Sequence, residues 1–412
     1  MTSKERHEAR YQRRKILREK KRKQYSIPYD DFDKVFTYDN LFKSYQLCTK
    51  GVKWKASIQR FIIMSAVNTF RNFNRLHKGT FKHDNFYEFD LLERGKMRHI
   101  RSVSVRERGV QRCICDYCLV PLITRSFIYD NGASMKNKGY GFSRKRLVTH
   151  LHQYYNHYKD TDGYVLLFDF SKFFDNVSHQ ICFDIIDNKI KDEHLRITTK
   201  DFIEAFGDVG LGLGSQVSQI MALASANKLD HLIKEKLQIK YYGRYMDDGY
   251  LIHHDKEYLK YCLQEIQKIC DELGIKLNIK KTVIVKLSHG FTFLKTRFYL
   301  LSNGKVVKKI YKKSIVKERR KLKKLRQKYD KGRVTMEDIY QSFQSWRAYT
   351  YTFDAYNAIQ NMEKLYKQLF GNLESPKQKR TLMRPLYFFL QLVLQYAYAA
   401  YLDLLLTSAL LY

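Results

Sequence analysis

The chain has 412 residues, 44% of them hydrophobic, which is enough for two or three domains and excludes an intrinsically disordered protein. Lys and Arg number 76 against 42 Asp and Glu, a formal net charge of +34, and self-repulsion on that scale implies a partner of opposite sign. Nucleic acid leads an anionic membrane surface and a merely solvated basic face, because 32 Tyr and 26 Phe supply rings that stack on bases. The seven cysteines, an odd number, and an N-terminus without a signal peptide point to free thiols in a reducing cytoplasm.

Residues 1–30 form a basic arm, with no apolar stripe wide enough to bury over MTSKERHEARYQRRKILREKKRKQ. Short amphipathic helices follow, such as the one from Lys55 to Met64. Residues 85–106 alternate with period two about a turn at Glu93 to Lys96, which predicts a β-hairpin. Cys113, Cys115 and Cys118 have the spacing of metal ligands. No second Cys or His pair accompanies them, and Val110 to Pro121 reads as a half-buried helix instead. Tyr164 to Phe170 reads as a central strand with Asp169 at its C-terminal end. Beyond it lie a helix from Phe173 to Asn188, a glycine-rich loop over 207–214 and a long helix from Ser215 to Lys236. A hairpin around Asp247 and Asp248 and an amphipathic helix from Lys256 to Leu273 come next, then strands over 277–285 and 291–300. Strands alternating with helices predict an α+β architecture over 31–312. A basic helical domain follows over 313–375, then an apolar tail over 376–412. From Leu386 onward that tail is long enough to cross a bilayer. Gln391, Gln395 and Asp403 oppose a span, so a buried or partner-binding helix is the equal reading.

The stretch YGRYMDDGYLIHH, Tyr242 to His254, places two carboxylates side by side among apolar and aromatic residues. Neighbouring strand residues point to opposite faces, but a hairpin turn lets both acids approach one site. Buried and unpaired they would be costly, whereas a surface Asp-Asp turn would have polar flanks. Hard divalent cations such as Mg²⁺, which take oxygen ligands, resolve the cost, and Asp169 would complete the set. Three carboxylates holding two such ions could clamp an in-line phosphoryl displacement.

Tyr245-Met-Asp-Asp248 resembles the YxDD motif of reverse transcriptases. Asp169-Phe-Ser-Lys-Phe-Phe174 resembles the first catalytic motif of that family, and Leu213-Gly-Ser-Gln-Val-Ser-Gln219 the motif before its template-contacting helix. Leu273 to Thr282 resembles a later palm motif, and Phe291 to Arg297 the primer grip. Lys96 to Ile100 and Arg106 to Arg112 resemble the fingers. The motifs occur in the family's order over roughly residues 80–300. The resemblance implies a right-hand polymerase of fingers and palm with a thumb-like C-terminal domain. It implies catalysis by Asp169, Asp247 and Asp248. These acids, with the carbonyl of Phe170, would hold two Mg²⁺ ions, Mn²⁺ being the alternative. Arg98, with Lys96 and Arg101 beside it, would bind the dNTP triphosphate. Phe174 would be the gate against a ribose 2′-hydroxyl, Ser218 and Gln219 would face the template–nucleotide pair, and Lys281 is a candidate general acid.

Leu213 stands where many reverse transcriptases have Gln. That form, and Asp130 to Gly139, resemble enzymes of diversity-generating retroelements and bacterial anti-phage defence systems. The expected function is cDNA synthesis from an RNA template and a DNA primer in such a bacterial system, with a dedicated non-coding RNA as partner. Two alternatives stay open: a template-independent DNA polymerase, and a non-polymerising, maturase-like RNA-binding protein, which the intact acids disfavour. Phe174 disfavours an RNA-dependent RNA polymerase. Neither an endonuclease motif nor a second strand-borne acid cluster of the RNase H kind is legible.

Overall fold

The computed structural model describes residues 2–84, 86–93 and 96–371. The apolar tail expected over 376–412 lies outside them. Among the described residues, no helix is long and apolar enough to cross a membrane. The chain divides into two compact units between Lys308 and Lys309, where the sequence placed a boundary after residue 312.

The first unit begins with a helix over Ser3–Ser26, in which no residue is buried. A capping box starts it: the Thr2 hydroxyl accepts from the Glu5 amide, and the Glu5 carboxylate accepts from the Thr2 amide at 2.8 Å. Strands β1 (Tyr87–Glu93) and β2 (Lys96–Ser102) form the expected antiparallel hairpin, with Glu93 opposite Lys96. Its surface is open, and Tyr87, Leu92 and Met97 are exposed. Ser104 then caps the helix Val105–Ile114 by accepting from the Glu107 amide at 3.2 Å. The cysteine-bearing segment is deeper than the half-buried helix read from sequence. Cys113, Cys115 and Cys118 are all fully buried, and the Cys113 thiol donates to the Val35 carbonyl at 3.3 Å. Burial pushes the Cys113 thiol up to about 12, so it stays protonated as a core side chain, not a thiolate ligand.

The central sheet has four antiparallel strands in the order β4-β5-β3-β6: β3 (Tyr164–Asp169), β4 (Tyr241–Tyr245), β5 (Asp248–His253) and β6 (Val283–Lys286). Both faces are covered, which is why β3 is an unbroken apolar run. Val165, Tyr250 and Ile252 pack with Leu147, Leu151 and Tyr154 of the helix Tyr140–Tyr158. On the opposite face, Leu166, Phe168 and Leu251 pack with residues of His179–Lys189, Gln216–Ser225 and Lys256–Glu272.

Four sequence expectations change. The helix read over 173–188 is two, Phe173–Asn176 and His179–Lys189, parted where Val177 and Ser178 turn extended. The helix read over 215–236 breaks at Ala226, whose φ of −90° and ψ of 4° leave the helical basin. The strand read over 277–285 begins at Val283, because the amides of Lys281 and Thr282 both bond the Asn278 carbonyl at 3.0 Å and close a turn. The strand read over 291–300 is a hairpin, β7 (Phe291–Phe293) and β8 (Thr296–Leu300), whose turn residues Leu294 and Lys295 take φ of 46° and 59°. With β9 (Val306–Ile310) these strands form a three-stranded sheet in the order β7-β8-β9.

The second unit holds the helices Lys312–Asp330, Met336–Thr350 and Tyr356–Phe370, which close over Leu322, Ile339, Phe343, Trp346, Met362 and Tyr366. On the first of these helices only Glu318 and Leu322 are buried, so its Lys and Arg side chains line the outside.

Candidate active site

The two adjacent acids fall where a tight hairpin makes their spacing useful. β4 and β5 pair Tyr245 with Asp248, leaving Met246 and Asp247 as a two-residue turn. Met246 takes a φ of 52°, the left-handed conformation that such turns require. Asp247 therefore sits in the turn and Asp248 opens β5. Across the sheet, Asp248 lies directly opposite Asp169, the last residue of β3. The Phe170 amide donates to the Asp247 carbonyl at 3.1 Å, tying the end of β3 to the turn.

On the opposite face of the same two strands, Gly249 makes room for the Phe168 ring. Gly249 faces Phe168 across the ladder, and a Cβ on it would stand 2.2 Å from the Phe168 ring. The ring thus fills the space over Gly249 on the face away from the acids, which a larger residue at that position would contest.

The turn Leu277–Thr282 supplies the remaining contacts. Asn278 grips Asp169 twice: its amide donates to the Asp169 carbonyl at 2.8 Å and its Nδ2 to Oδ1 at 3.2 Å. The Lys281 Nζ donates to Oδ2 of the same carboxylate at 2.6 Å. The Ser171 amide donates to the Lys276 carbonyl at 2.7 Å, fixing the strand end to this turn. Lys281 is among the sequence candidates. Asn278 is not, because Leu277 to Val285 reads as a strand; an Asn heading a Lys-Lys pair is the turn signal that could have shown it.

The electrostatics record a shortage of positive charge. Burial, then the neighbouring charges of Asp247 and Asp169, push the Asp248 carboxyl up to about 7, against some relief from Lys281. For Lys281, burial pulls the ammonium down, but the hydrogen bond and charge of Asp169 more than reverse it, so it holds its proton more tightly than an ordinary lysine. Among the described residues, no group of three or more His, Cys, Asp or Glu side chains forms a ready metal cage. The carboxylates nevertheless suit a hard cation: Asp169 is buried, Asp247 and Asp248 are half-buried, and burial with the charges of its neighbours pushes Asp248 toward protonation.

A cavity of about 530 Å³ adjoins the acids. Asp169, Asp248 and Lys281 line one side, and His289, Thr292 and Arg297 of the β7–β8 region line the other. The remaining candidates stand on other elements. Phe170 is buried beside Asp169. Phe174 is half-buried on the short helix Phe173–Asn176, and its carbonyl accepts from the Leu211 amide at 2.7 Å. Gln219 is exposed on the helix Gln216–Ser225 and its Oε1 accepts from the Ser134 hydroxyl at 3.2 Å. Ser218 of the same helix is buried. Lys96 opens β2, with Arg98 exposed two residues on. Arg101 pairs with Glu88 at 2.9 Å and donates to the Phe206 carbonyl at 2.8 Å, contacts that explain it structurally.

Known proteins compare as follows. Residues 82–298, more than half of the chain, match the family model described as reverse transcriptase (RNA-dependent DNA polymerase). No curated protein sequence matches. Similar solved structures include apo telomerase from Candida tropicalis truncated from its C-terminal domain, at 14% identity, 55% of each chain and a TM-score of 0.42. Telomerase from Candida albicans with a TWJ fragment of telomeric RNA matches at 11% identity, 72% of this chain, 62% of that one and a TM-score of 0.44. This chain thus spans 55% to 62% of those chains. At these scores the likeness adds nothing to the assignment, which rests on the matched span. The three acids, Asn278 and Lys281 all lie within it. The chain, an α+β fold followed by a helical unit, belongs to the reverse transcriptase (RNA-dependent DNA polymerase) family.

Proposed function

We propose that this protein is an RNA-directed DNA polymerase whose chemistry is carried by Asp169, Asp247 and Asp248. One observation bears most of the weight: the register of β3 against β5, which sets Asp169 opposite Asp248 with Asp247 in the adjoining turn. Burial, with the charges of Asp247 and Asp169 beside it, raises the cost of ionising Asp248, an arrangement that serves charge chemistry and weakens a purely structural site. With the Phe170 carbonyl, they would hold two Mg²⁺ ions, or Mn²⁺, which when bound supply the Lewis acidity for attack by a primer 3′-hydroxyl and departure of pyrophosphate.

The chain's own groups do the positioning. Asn278 holds the Asp169 carboxylate through Oδ1 and its carbonyl through the backbone. Lys281 carries a firmly held proton at Nζ, 2.6 Å from Asp169, and can pass it to pyrophosphate once that carboxylate turns to another partner. Arg98, with Lys96, would grip the triphosphate through charge-assisted hydrogen bonds. Phe174 would close the pocket against a 2′-hydroxyl, and Gln219 would face the nascent pair. Primer and template phosphates would be met by the exposed Lys and Arg side chains of Lys312–Asp330 and of the N-terminal helix, so RNA affinity should fall steeply with salt.

The biological setting follows from the resemblance carried by Leu213 and by Asp130 to Gly139: a bacterial retroelement or anti-phage defence system, acting in the cytoplasm with a dedicated non-coding RNA. Leu213 removes an amide donor near the nascent pair, and an altered error spectrum is its expected consequence; Leu213→Gln should change that spectrum. Primer extension on a mixed-sequence RNA template with Mg²⁺ and dNTPs tests the activity. Templated cDNA from the wild type, absent from Asp247→Ala/Asp248→Ala, is the expected result. No product from either protein, with salt-sensitive RNA binding intact in both, would favour an RNA-binding role without synthesis.

A further inference from the structure

The catalytic turn rests on a buried ion pair that the chemistry above does not use. Arg244, three residues before Asp247, is fully buried with its partner Asp230. Its Nε and Nη2 donate to the two carboxylate oxygens of Asp230 at 2.8 and 2.6 Å, a bidentate fork. Tyr242 donates its hydroxyl to Asp230 at 2.6 Å. One guanidinium nitrogen remains, and it leaves the pair: Nη1 donates to the Met246 carbonyl at 2.8 Å. Nη2 also donates to the Leu223 carbonyl in the core at 3.3 Å, whereas Nη1 reaches over its own hairpin to the peptide that precedes Asp247.

That contact has a geometric consequence. The direction in which the Asp247 Cα–Cβ bond leaves the turn is set by the two peptide planes flanking its Cα. Arg244 holds the Met246–Asp247 plane through the Met246 carbonyl, and the Phe170 amide holds the Asp247–Asp248 plane through the Asp247 carbonyl at 3.1 Å. Both soft torsions of Asp247 are therefore bracketed, in a turn whose preceding residue is a non-glycine at positive φ. Arg244 is itself pinned from a third side. Its amide donates to the Asp130 carbonyl at 3.1 Å, and its carbonyl accepts from the Gly132 amide at 2.9 Å. The segment Asp130 to Gly139 thereby acquires a structural link to the catalytic turn.

We infer that Arg244 is a positioning residue for the polymerase reaction, with Asp230 as its anchor: the guanidinium fixes the direction of the Asp247 carboxylate and touches no substrate. The inference rests on the polymerase reading. Its test separates stability from turnover with two variants. Arg244→Lys keeps the charge beside Asp230, but a single ammonium cannot hold a carboxylate fork and the Met246 carbonyl together. Asp230→Asn/Arg244→Gln removes both buried charges and leaves Tyr242 a partner, which should return the melting temperature toward wild type after the loss expected for Arg244→Gln alone. In both test variants kcat for single-nucleotide addition should fall about a hundredfold, the scale of a misplaced reacting group, while the KM for dNTP and the affinity for primer–template hold. Recovery of kcat together with melting temperature in the double variant would show a purely structural pair and overturn the inference. A wild type that makes no cDNA would instead overturn the polymerase reading beneath it.

Discussion

On the proposed reading, two antiparallel hairpins divide the work of a polymerase site between them. The β4–β5 hairpin is buried on both faces, carries a fully buried ion pair behind its turn, and places acids to fixed partners. The β1–β2 hairpin is exposed along most of its length and carries Arg98, His99 and Arg101 on one strand. The same secondary structure serves opposite ends. Burial removes rotamer freedom and lowers the local dielectric, which suits groups that must not move during chemistry. Exposure keeps long basic side chains hydrated and open to solvent, which suits capture of a charged substrate.

That contrast can be broken from the buried side with the largest effect. Asp169→Asn keeps the shape and the Asn278 contacts but removes the charge opposite Asp248. Nucleotide addition should fall about a thousandfold or more, matching the several kcal/mol of charge stabilisation at stake, with unchanged primer–template affinity. Gly249→Ala comes next. Its Cβ would enter the Phe168 ring, so the variant should lose about 1–3 kcal/mol of stability by overpacking and lose activity with it. Gly249→Ala/Phe168→Leu should recover part of both; thermal melting with a parallel extension assay reads the pair.

The exposed hairpin should behave otherwise. Arg98→Ala should raise the KM for dNTP by about tenfold, the scale of a charge-assisted hydrogen bond, and shift the melting temperature little. A large melting shift there would erase the distinction between the two hairpins. The smallest effect concerns His83, behind the fingers. Burial pulls its imidazole down, but the hydrogen bond to Glu107 at 3.0 Å and that residue's charge reverse this, leaving the group raised above 6.5. A raised imidazole stabilises the folded protein below its unfolded value and loses that contribution as pH rises through the folded one. His83→Gln should therefore flatten the decline in melting temperature on going upward from pH 6.5, with catalysis untouched.

The sequence reveals the acids and their hairpin because their signals are local: an apolar run ending in Asp169, and paired carboxylates flanked by rings. Other features are not legible for equally physical reasons. The β7–β8 turn is built from Leu294 and Lys295, which carry none of the Asn or Gly chemistry that marks positive φ, so one strand was the natural reading. Asn278 and Lys281 reach Asp169 across more than a hundred residues, and only tertiary folding shows that a turn, not a strand, presents them. Asp230 reads as an ordinary helical acid until its Arg partner on β4 is seen. The helix read from Ser215 to Lys236 is broken at Ala226 without a Gly or Pro to announce it.

Single-turnover addition of each of the four dNTPs, opposite each of the four template bases in RNA, tests the central claim most directly. The account predicts that only the complementary dNTP is added efficiently by the wild type and that Asp169→Asn adds it about a thousandfold more slowly or worse. Addition of the same nucleotide whatever the template base, or undiminished addition by Asp169→Asn, would contradict it.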